Sequence, residues 1–164
     1  MTEAVRVPPI DLVLETGAEP ELVWRTLTDP ARVALWFTDA SRVRRVGDTY
    51  RLDFGEGSVV RGEVLALEPG RTFAHAWAWD GSEPGEVTRV TWTVERHLGG
   101  SRVRLVHDGW DEAGMDESAR DDHEGYWRGY LDDLRAVLEV ARASEAASGR
   151  SPTAGTDAST EMPG

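Results

Sequence analysis

The sequence predicts one α+β domain in which a curved antiparallel sheet of about six or seven strands wraps around a long C-terminal helix. Three observations predict this fold. Segments in which apolar and polar residues alternate run from residue 50 to residue 107 and are separated by short, glycine-containing turns. Two short helical patterns precede these segments, and a longer helical pattern follows them. Strands joined by short turns form an antiparallel meander with one buried face, which the last helix can cover.

The first part of the chain contributes one strand and two short helices. An extended apolar segment over residues 6–14 predicts the first strand. Residues 20–27 place apolar side chains at helical spacing with a proline in the first turn, which favours a helix. Asp29 followed by Pro30 is typical of an N-cap and a first helical residue, so a second short helix is expected to begin there.

The middle of the chain predicts the meander. Alternation is clearest where Phe73, His75, Trp77 and Trp79 are separated by alanines, because this strand has one aromatic face and one face of small side chains. Glycine or proline marks several of the turns between strands. The predicted strands of the meander cover residues 50–54, 59–67, 73–79, 89–95 and 102–107.

The C-terminal part of the chain predicts the longest helix and a tail. The segment that begins at Ser118 has the form of a capping box, and Trp127, Leu131, Leu134 and Leu138 follow at helical spacing. Residues 144–164 consist mainly of Ser, Ala, Gly, Thr and Pro, which bury too little apolar surface to offset the entropy cost of ordering. We therefore expect a domain over residues 1–143 and a disordered tail over residues 144–164.

Composition and charge exclude several classes of function. The net charge of −12 argues against nucleic acid and anionic membranes as partners, because both are bound mainly by clustered cationic side chains. Without cysteine, thiolate chemistry and cysteine-ligated metal sites are excluded. No apolar run is long enough to insert into a membrane, and no signal peptide pattern is found at the N-terminus, so a cytoplasmic location is expected. All basic residues are arginine, which is typical of a GC-rich genome and fits a bacterial origin.

The order of elements is similar to that of the SRPBCC superfamily, also called START-like or helix-grip proteins. Within it, the chain most resembles the AHSA-type homologues of the activator of heat-shock-protein-90 ATPase. The resemblance rests on segments spread over residues 10–140: Leu27-Thr28-Asp29-Pro30, Trp36-Phe37, Gly47-Asp48 with Tyr50, Gly62-Glu63-Val64, Glu68-Pro69, Trp77, residues 103–110 and Gly125-Tyr126-Trp127. It implies a sheet that grips the last helix and leaves a cavity between them.

The candidate ligand site is this internal cavity, lined by the concave face of the sheet and by the helices opposite it. Rigid rings leave irregular voids, and Trp and Tyr offer polar atoms to an otherwise apolar ligand. A filled core without a ligand is the alternative interpretation. The predicted lining residues are Trp36, Phe37, Tyr50, Leu52, Phe54, Phe73, His75, Trp77, Trp79, Trp92, Val94, Val103, Leu105, His107, Trp127, Tyr130, Leu131 and Leu134.

Three histidines are candidates for a polar cluster in the same space. Strand alternation turns His75 and His107 inward, and His123 lies on the last helix. They could act as acid or base, although buried histidines are more often satisfied by backbone or water. No spacing typical of a metal site occurs, no catalytic constellation is recognised, and neither a metal nor another cofactor is expected.

Three functions are compatible with this fold. The leading hypothesis is a protein that binds a small apolar or aromatic molecule in the internal cavity without catalysis. The first alternative is an enzyme similar to polyketide cyclases and aromatases, in which His107 or Tyr130 transfers protons. The second alternative is a chaperone-cofactor-like domain that binds a protein partner through its surface. Ligand identity and oligomeric state are left open by the sequence.

Overall fold

The computed structural model describes the backbone of residues 6–161 and the side chains of residues 6–147. Within this part, seven strands form one antiparallel sheet in the order β1-β7-β6-β5-β4-β3-β2, and three helices accompany it. The predicted α+β helix-grip fold is therefore confirmed. Its elements are β1 (Ile10–Thr16), α1 (Pro20–Thr28), α2 (Pro30–Trp36), β2 (Asp39–Ala40), β3 (Thr49–Asp53), β4 (Val59–Glu68), β5 (Thr72–Trp79), β6 (Thr88–His97), β7 (Gly100–Asp108) and α3 (Glu117–Glu161).

The first strand is shifted relative to the sequence prediction. It begins at Ile10 instead of Arg6 because Pro8 and Pro9 have no backbone N–H to donate to a neighbouring strand. Their carbonyl groups instead accept hydrogen bonds from Arg120 of α3, over 3.1 and 2.9 Å. The strand then pairs with β7 along its whole length, so the first and last strands are neighbours in the sheet.

The short helices agree closely with their sequence signals, whereas the start of α3 does not. Asp29 caps α2, with its side chain accepting a hydrogen bond from the Ala31 N–H over 3.2 Å. At α3, Asp116 and not Ser118 performs this role, because Asp116 Oδ1 lies 2.9 Å from the Ala119 N–H. An Asp two residues upstream satisfies the same free N–H groups of the first turn.

The last helix continues beyond the predicted domain border at residue 143. The backbone of residues 144–161 is helical, although their composition shows no apolar periodicity. Side chains 144–147 are exposed, and the side chains that follow lie outside the described residues. The expectation that residues 144–164 form a disordered tail outside the domain therefore stays a prediction.

The core lies between the concave face of the sheet and the helices. Inward residues of β6 and β7, such as Val90, Trp92 and Leu105, are buried together with Leu134 and Leu138 of α3. A glycine is required at one point of the sheet, since a Cβ on Gly62 would lie 1.7 Å from the Ala76 carbonyl oxygen. No helix within residues 6–161 combines the length and the hydrophobicity that crossing a membrane requires.

Candidate functional site

A cleft opens where the sheet meets the first turns of α3. Its volume is about 470 Å³, which lies in the usual range of small-molecule sites. Its rim is solvent-accessible, and Tyr126 is 61% exposed there. The cleft is lined by Phe37, Phe54, Gly55, Glu56, Ser58, Trp77, Trp79, Ala119, Asp122, His123, Tyr126, Trp127 and Tyr130.

The aromatic side chains form a connected wall. Phe37, just after α2, lies with its ring centroid 4.8 Å from that of Tyr130 and 5.4 Å from that of Phe54. Phe54 in turn lies 5.5 Å from Trp79. The edge-on and tilted angles between these rings match the usual preferences of aromatic pairs. Helical spacing places Tyr126, Trp127 and Tyr130 on the side of α3 that meets the cleft.

The turn between β3 and β4 forms one edge of the cleft in an unusual conformation. Gly55, Glu56 and Gly57 have φ angles of +93°, +55° and +84°. Glycine adopts this left-handed region freely, whereas a residue with a Cβ does so at a cost of about 1 kcal/mol. The turn therefore holds Glu56 at the cleft edge in a backbone conformation that has a higher free-energy cost for glutamate than for glycine.

Behind the wall, His107 is fixed by hydrogen bonds on both ring nitrogens. The Trp127 Nε1–H donates to His107 Nδ1 over 3.0 Å. Because an indole nitrogen only donates, Nδ1 must be unprotonated, and the ring proton lies on Nε2. That nitrogen is 2.7 Å from Thr88 Oγ1, and the Thr88 hydroxyl donates to the Trp77 carbonyl over 3.3 Å. This chain of hydrogen bonds requires a neutral His107.

Burial acts on the His107 ring in the same direction. The side chain has no exposed surface. Desolvation, together with repulsion from His123 and His75, lowers the pKa of His107 well below its ordinary value. The geometry and the pKa therefore both favour a structural role for this histidine.

His123 is held in a similar way but belongs to the cleft lining. Its Nε2 accepts from the Trp79 Nε1–H over 3.1 Å, so its Nδ1 donates to the Ala119 carbonyl over 2.8 Å. Burial lowers the pKa of His123. A neutral ring is again the form that satisfies both partners.

The third histidine lies deeper, on β5. His75 Nδ1 is 2.9 Å from the Ala76 carbonyl, and its ring packs 4.8 Å from the ring of Tyr50. Desolvation lowers the pKa of His75 to about 4, and it raises the pKa of Tyr50. Neither group is charged at neutral pH. His107 and His123 lie with their ring centroids 5.5 Å apart, whereas the ring of His75 packs against Tyr50. All three histidines have lowered pKa values.

One polar atom of the wall is left without a partner. The Nε1–H of Trp77 is buried and finds no hydrogen-bond acceptor among the described residues. The indoles of Trp36, Trp79, Trp110 and Trp127 all donate to a protein acceptor. A buried N–H without an acceptor lowers the stability of the folded state. Where such a group occurs, it is explained by a functional site or by a bound water molecule.

The structure divides the predicted lining residues into two groups. Those that line the cleft are Phe37, Phe54, Trp77, Trp79, Trp127 and Tyr130. The others lie in the packed interior and not in the cleft wall: Trp36, Tyr50, Leu52, Phe73, His75, Trp92, Val94, Val103, Leu105, His107, Leu131 and Leu134. Whether either group binds a ligand stays a prediction.

Several cleft residues were not among the predicted ones. The turn residues Gly55, Glu56 and Ser58 and the helix residues Ala119, Asp122 and Tyr126 also line the cleft. Tyr126 carried a signal, because it stands four residues before Tyr130 on the same helix. No three histidine or carboxylate side chains in the described part of the chain converge in a way that would hold a metal ion. The cleft therefore combines aromatic side chains with the two carboxylates of Glu56 and Asp122.

Comparisons with solved structures agree on the fold. The chain is similar to protein MLL2253 from Mesorhizobium loti, with 23% identity and a TM-score of 0.72 over 80% of this chain and 97% of that one. It is also similar to DynU16, a protein from the dynemicin biosynthetic locus, with 25% identity and a TM-score of 0.72 over 82% of this chain and 48% of DynU16. A third similar structure is the Aha1 dimer from Colwellia psychrerythraea, with 26% identity and a TM-score of 0.67 over 81% and 97% of the two chains.

The family comparison covers most of the domain. No curated protein matches the chain significantly. The family model named Activator of Hsp90 ATPase homolog 1-like protein matches residues 17–139, which span α1 to the packed part of α3. The chain therefore belongs to the Activator of Hsp90 ATPase homolog 1-like family, as its resemblance to the AHSA-type proteins indicated.

Proposed function

We propose that this domain binds a small, largely apolar or aromatic molecule in the cleft between the β3–β4 turn and α3. The observation that carries the proposal is the cleft of about 470 Å³ with a connected aromatic wall. Clefts of this size, mostly apolar and with few polar atoms, are typical of small-molecule sites. The proposal includes a cytoplasmic location and a bacterial origin. It does not include a nucleic acid partner, because the net charge of −12 would repel the phosphate backbone.

The site proposed is narrower than the whole concave face. Leu52, Leu105 and Leu134 have no exposed surface, so the deep interior has no room for a ligand without rearrangement. Phe54, Trp79 and Tyr130 are half-buried beside the cleft and present ring surface to it. We therefore propose that the ligand lies against Phe54, Trp79 and Tyr130 and not in the deep interior.

The two alternative functions, a cyclase-like enzyme and a chaperone-cofactor-like domain, require different roles of the cleft residues. A cyclase-like enzyme would need a proton donor or acceptor in the cleft, and His107 already uses both ring nitrogens within the protein. His123 uses both of its ring nitrogens as well, so Tyr130, which lines the cleft, would have to take that role. A chaperone-cofactor-like domain would act through its surface and would leave the cleft without a ligand.

The test is binding of the neutral apolar fluorophore N-phenylnaphthylamine to the full chain. We expect saturable binding with micromolar affinity. Ala119→Phe adds a ring to the cleft wall and should weaken binding at least about tenfold, or roughly 1.4 kcal/mol. Ala143→Phe adds the same ring to an exposed position of α3 outside the cleft and is the matched control.

The two variants decide between the proposals. Equal binding by both variants would place the probe elsewhere and contradict the cleft assignment. Absence of saturable binding would exclude a carrier of apolar molecules of this size and favour the surface alternative. Turnover of an added polyketide chain that is lost in Tyr130→Phe would favour the enzyme.

A further inference from the structure

The charges that line the cleft are of one sign. Glu56 and Asp122 lie on opposite edges of it, one on the β3–β4 turn and one on α3. Neither carboxylate has an ion-pair partner within 4.0 Å among the described residues, and no arginine belongs to the lining. The chain contains no lysine. A charged group of a bound molecule would therefore meet two uncompensated negative charges.

Arginines of the neighbouring segments are bound elsewhere. Arg51 of β3 lies 3.3 Å from Asp53, and Arg128 of α3 is paired with Glu124. Arg120 is paired with Glu124 as well and donates to the Pro8 and Pro9 carbonyls. Each of these arginines already has a carboxylate partner, and none of them lines the cleft.

The histidine of the lining adds no positive charge. His123 accepts from Trp79 and donates to the Ala119 carbonyl, and this pattern requires the neutral ring. At neutral pH the two carboxylates are thus the charged groups of the described lining.

The aromatic wall favours cations for a second, independent reason. Phe37, Phe54, Trp79 and Tyr130 line the cleft, and the face of an aromatic ring carries partial negative charge while its edge carries partial positive charge. A cation within about 6 Å of such a ring is attracted to it, most strongly to Trp, and aromatic cages bind quaternary ammonium groups in this way. An anion is repelled by the same faces.

We infer that the cleft selects an aromatic or apolar molecule that carries a cationic amine or quaternary ammonium group, and that it discriminates against carboxylates and phosphates. This inference rests on the proposed function, because it assigns the charge class of the ligand at that same site. Glu56 and Asp122 act as charge-determining residues at the rim, while the rings provide apolar contact and cation–π attraction.

The test compares three compounds with the same aromatic group: naphthylmethanol, naphthylmethyl-trimethylammonium and naphthylacetate. Their affinities for the full chain are measured by calorimetry at neutral pH and low ionic strength. We expect the ammonium compound to bind at least about tenfold more tightly than the carboxylate, with the alcohol between them. Glu56→Gln combined with Asp122→Asn should reduce this ratio several-fold, with the affinity of each charged compound expressed relative to that of the alcohol for the same variant.

A control variant distinguishes the effect of the two cleft carboxylates from the effect of the net charge of the protein. Glu63→Gln combined with Glu68→Gln changes the net charge by the same amount on exposed residues of β4 outside the cleft lining, and it should keep the ratio. Equal affinities of the ammonium compound and the carboxylate would overturn the inference. So would an equal loss of the affinity ratio in both double variants. In either case, binding of the alcohol would still support the proposed ligand site. If none of the three compounds binds, the proposed function fails together with the inference.

Discussion

The buried face of α3 meets two kinds of neighbour along its length. In its first turns, His123 and Trp127 contact rings of the sheet and exchange hydrogen bonds with Trp79 and His107. Farther along, Leu134 and Leu138 are completely buried among apolar side chains, near the end of β1 where Thr16 donates to Glu139 over 3.4 Å. We refer to these as the aromatic end and the aliphatic end of the interface.

The two ends differ in what surrounds their buried side chains. At the aliphatic end, Leu134 and Leu138 are completely enclosed by apolar side chains, and the groove of about 510 Å³ at this end lies beside other residues, including Val137 and Val140. At the aromatic end, hydrogen bonds from Trp79 and Trp127 hold rigid rings in fixed orientations. Trp79 and Trp127 themselves line the cleft, so the polar cluster lies directly behind the wall of the candidate site.

The largest effect is expected from emptying the aromatic end. Trp127 is 2% exposed, contacts the rings of Phe37, Trp77 and Trp92, and donates to His107. Trp127→Ala should lower the free energy of unfolding by about 3–5 kcal/mol in chemical denaturation, the usual cost of removing a buried aromatic side chain.

A milder variant separates packing from hydrogen bonding at this position. Trp127→Phe keeps a ring but leaves His107 Nδ1 without its donor, and it should cost about 1–3 kcal/mol. Leu138→Ala at the aliphatic end should cost about 2–5 kcal/mol and leave the hydrogen bonds of His107 unchanged. Unchanged stability in Trp127→Ala would contradict the structural role of the aromatic end.

Acidification should destabilise the folded chain through its three buried histidines. The pKa of His75 is lowered to about 4, and the pKa values of His107 and His123 are lowered too, whereas in the unfolded chain each is near 6.5. Between these values the unfolded chain binds more protons, so the free energy of unfolding falls as the pH decreases below about 6.5 and is level above it. Each histidine contributes up to about 1.4 kcal/mol per pH unit within this window.

Denaturant titrations at pH values on either side of 6.5 measure this effect. Between about pH 7.5 and 5.5 we expect His75 to account for a loss of roughly 1 kcal/mol, and His107 and His123 to add to the loss in the same direction. His75→Gln should reduce the total loss by about 1 kcal/mol, since it removes one titrating group. Leu138→Val at the aliphatic end should lower stability equally at both pH values. A loss that is unaffected by His75→Gln would mean that this histidine titrates normally in the folded state.

The two ends were not equally predictable from the sequence. Alternation correctly predicted that Trp77, Trp92 and Leu105 point inward, because a strand turns every second side chain to the same face. It could not tell which inward residues border a void, since that depends on how side chains from different elements fit together. Trp92 and Trp79 have similar patterns in the sequence, yet the first is 3% exposed in the core and the second borders the cleft.

The protonation of buried histidines, the direction of turn side chains and the shortest strand could not be predicted from the sequence, for other reasons. The protonation of His107 follows from the donor Trp127, which lies twenty residues away in the sequence. Glu56 lies in a turn, where no periodicity indicates a direction, and β2 has two residues, too few to show alternation. The first residues of the helices were easier to predict, because capping depends on neighbouring residues. At α3 the capping side chain is nevertheless that of Asp116 and not that of Ser118 as predicted.

The smallest effect is expected beyond the aliphatic end. Leu138 is the last completely buried side chain among the described residues of α3, Ala141 is half-buried, and Arg25 binds Glu145 over 2.7 Å. Deleting residues 146–164 keeps these four residues and removes a segment whose composition offers little apolar surface. The thermal midpoint should therefore stay within about 2 °C of that of the full chain. A longer deletion that begins at Val137 removes Leu138 and should prevent stable folding. A fall of more than about 5 °C in the shorter deletion, roughly 1 kcal/mol, would show that the aliphatic end extends into the tail.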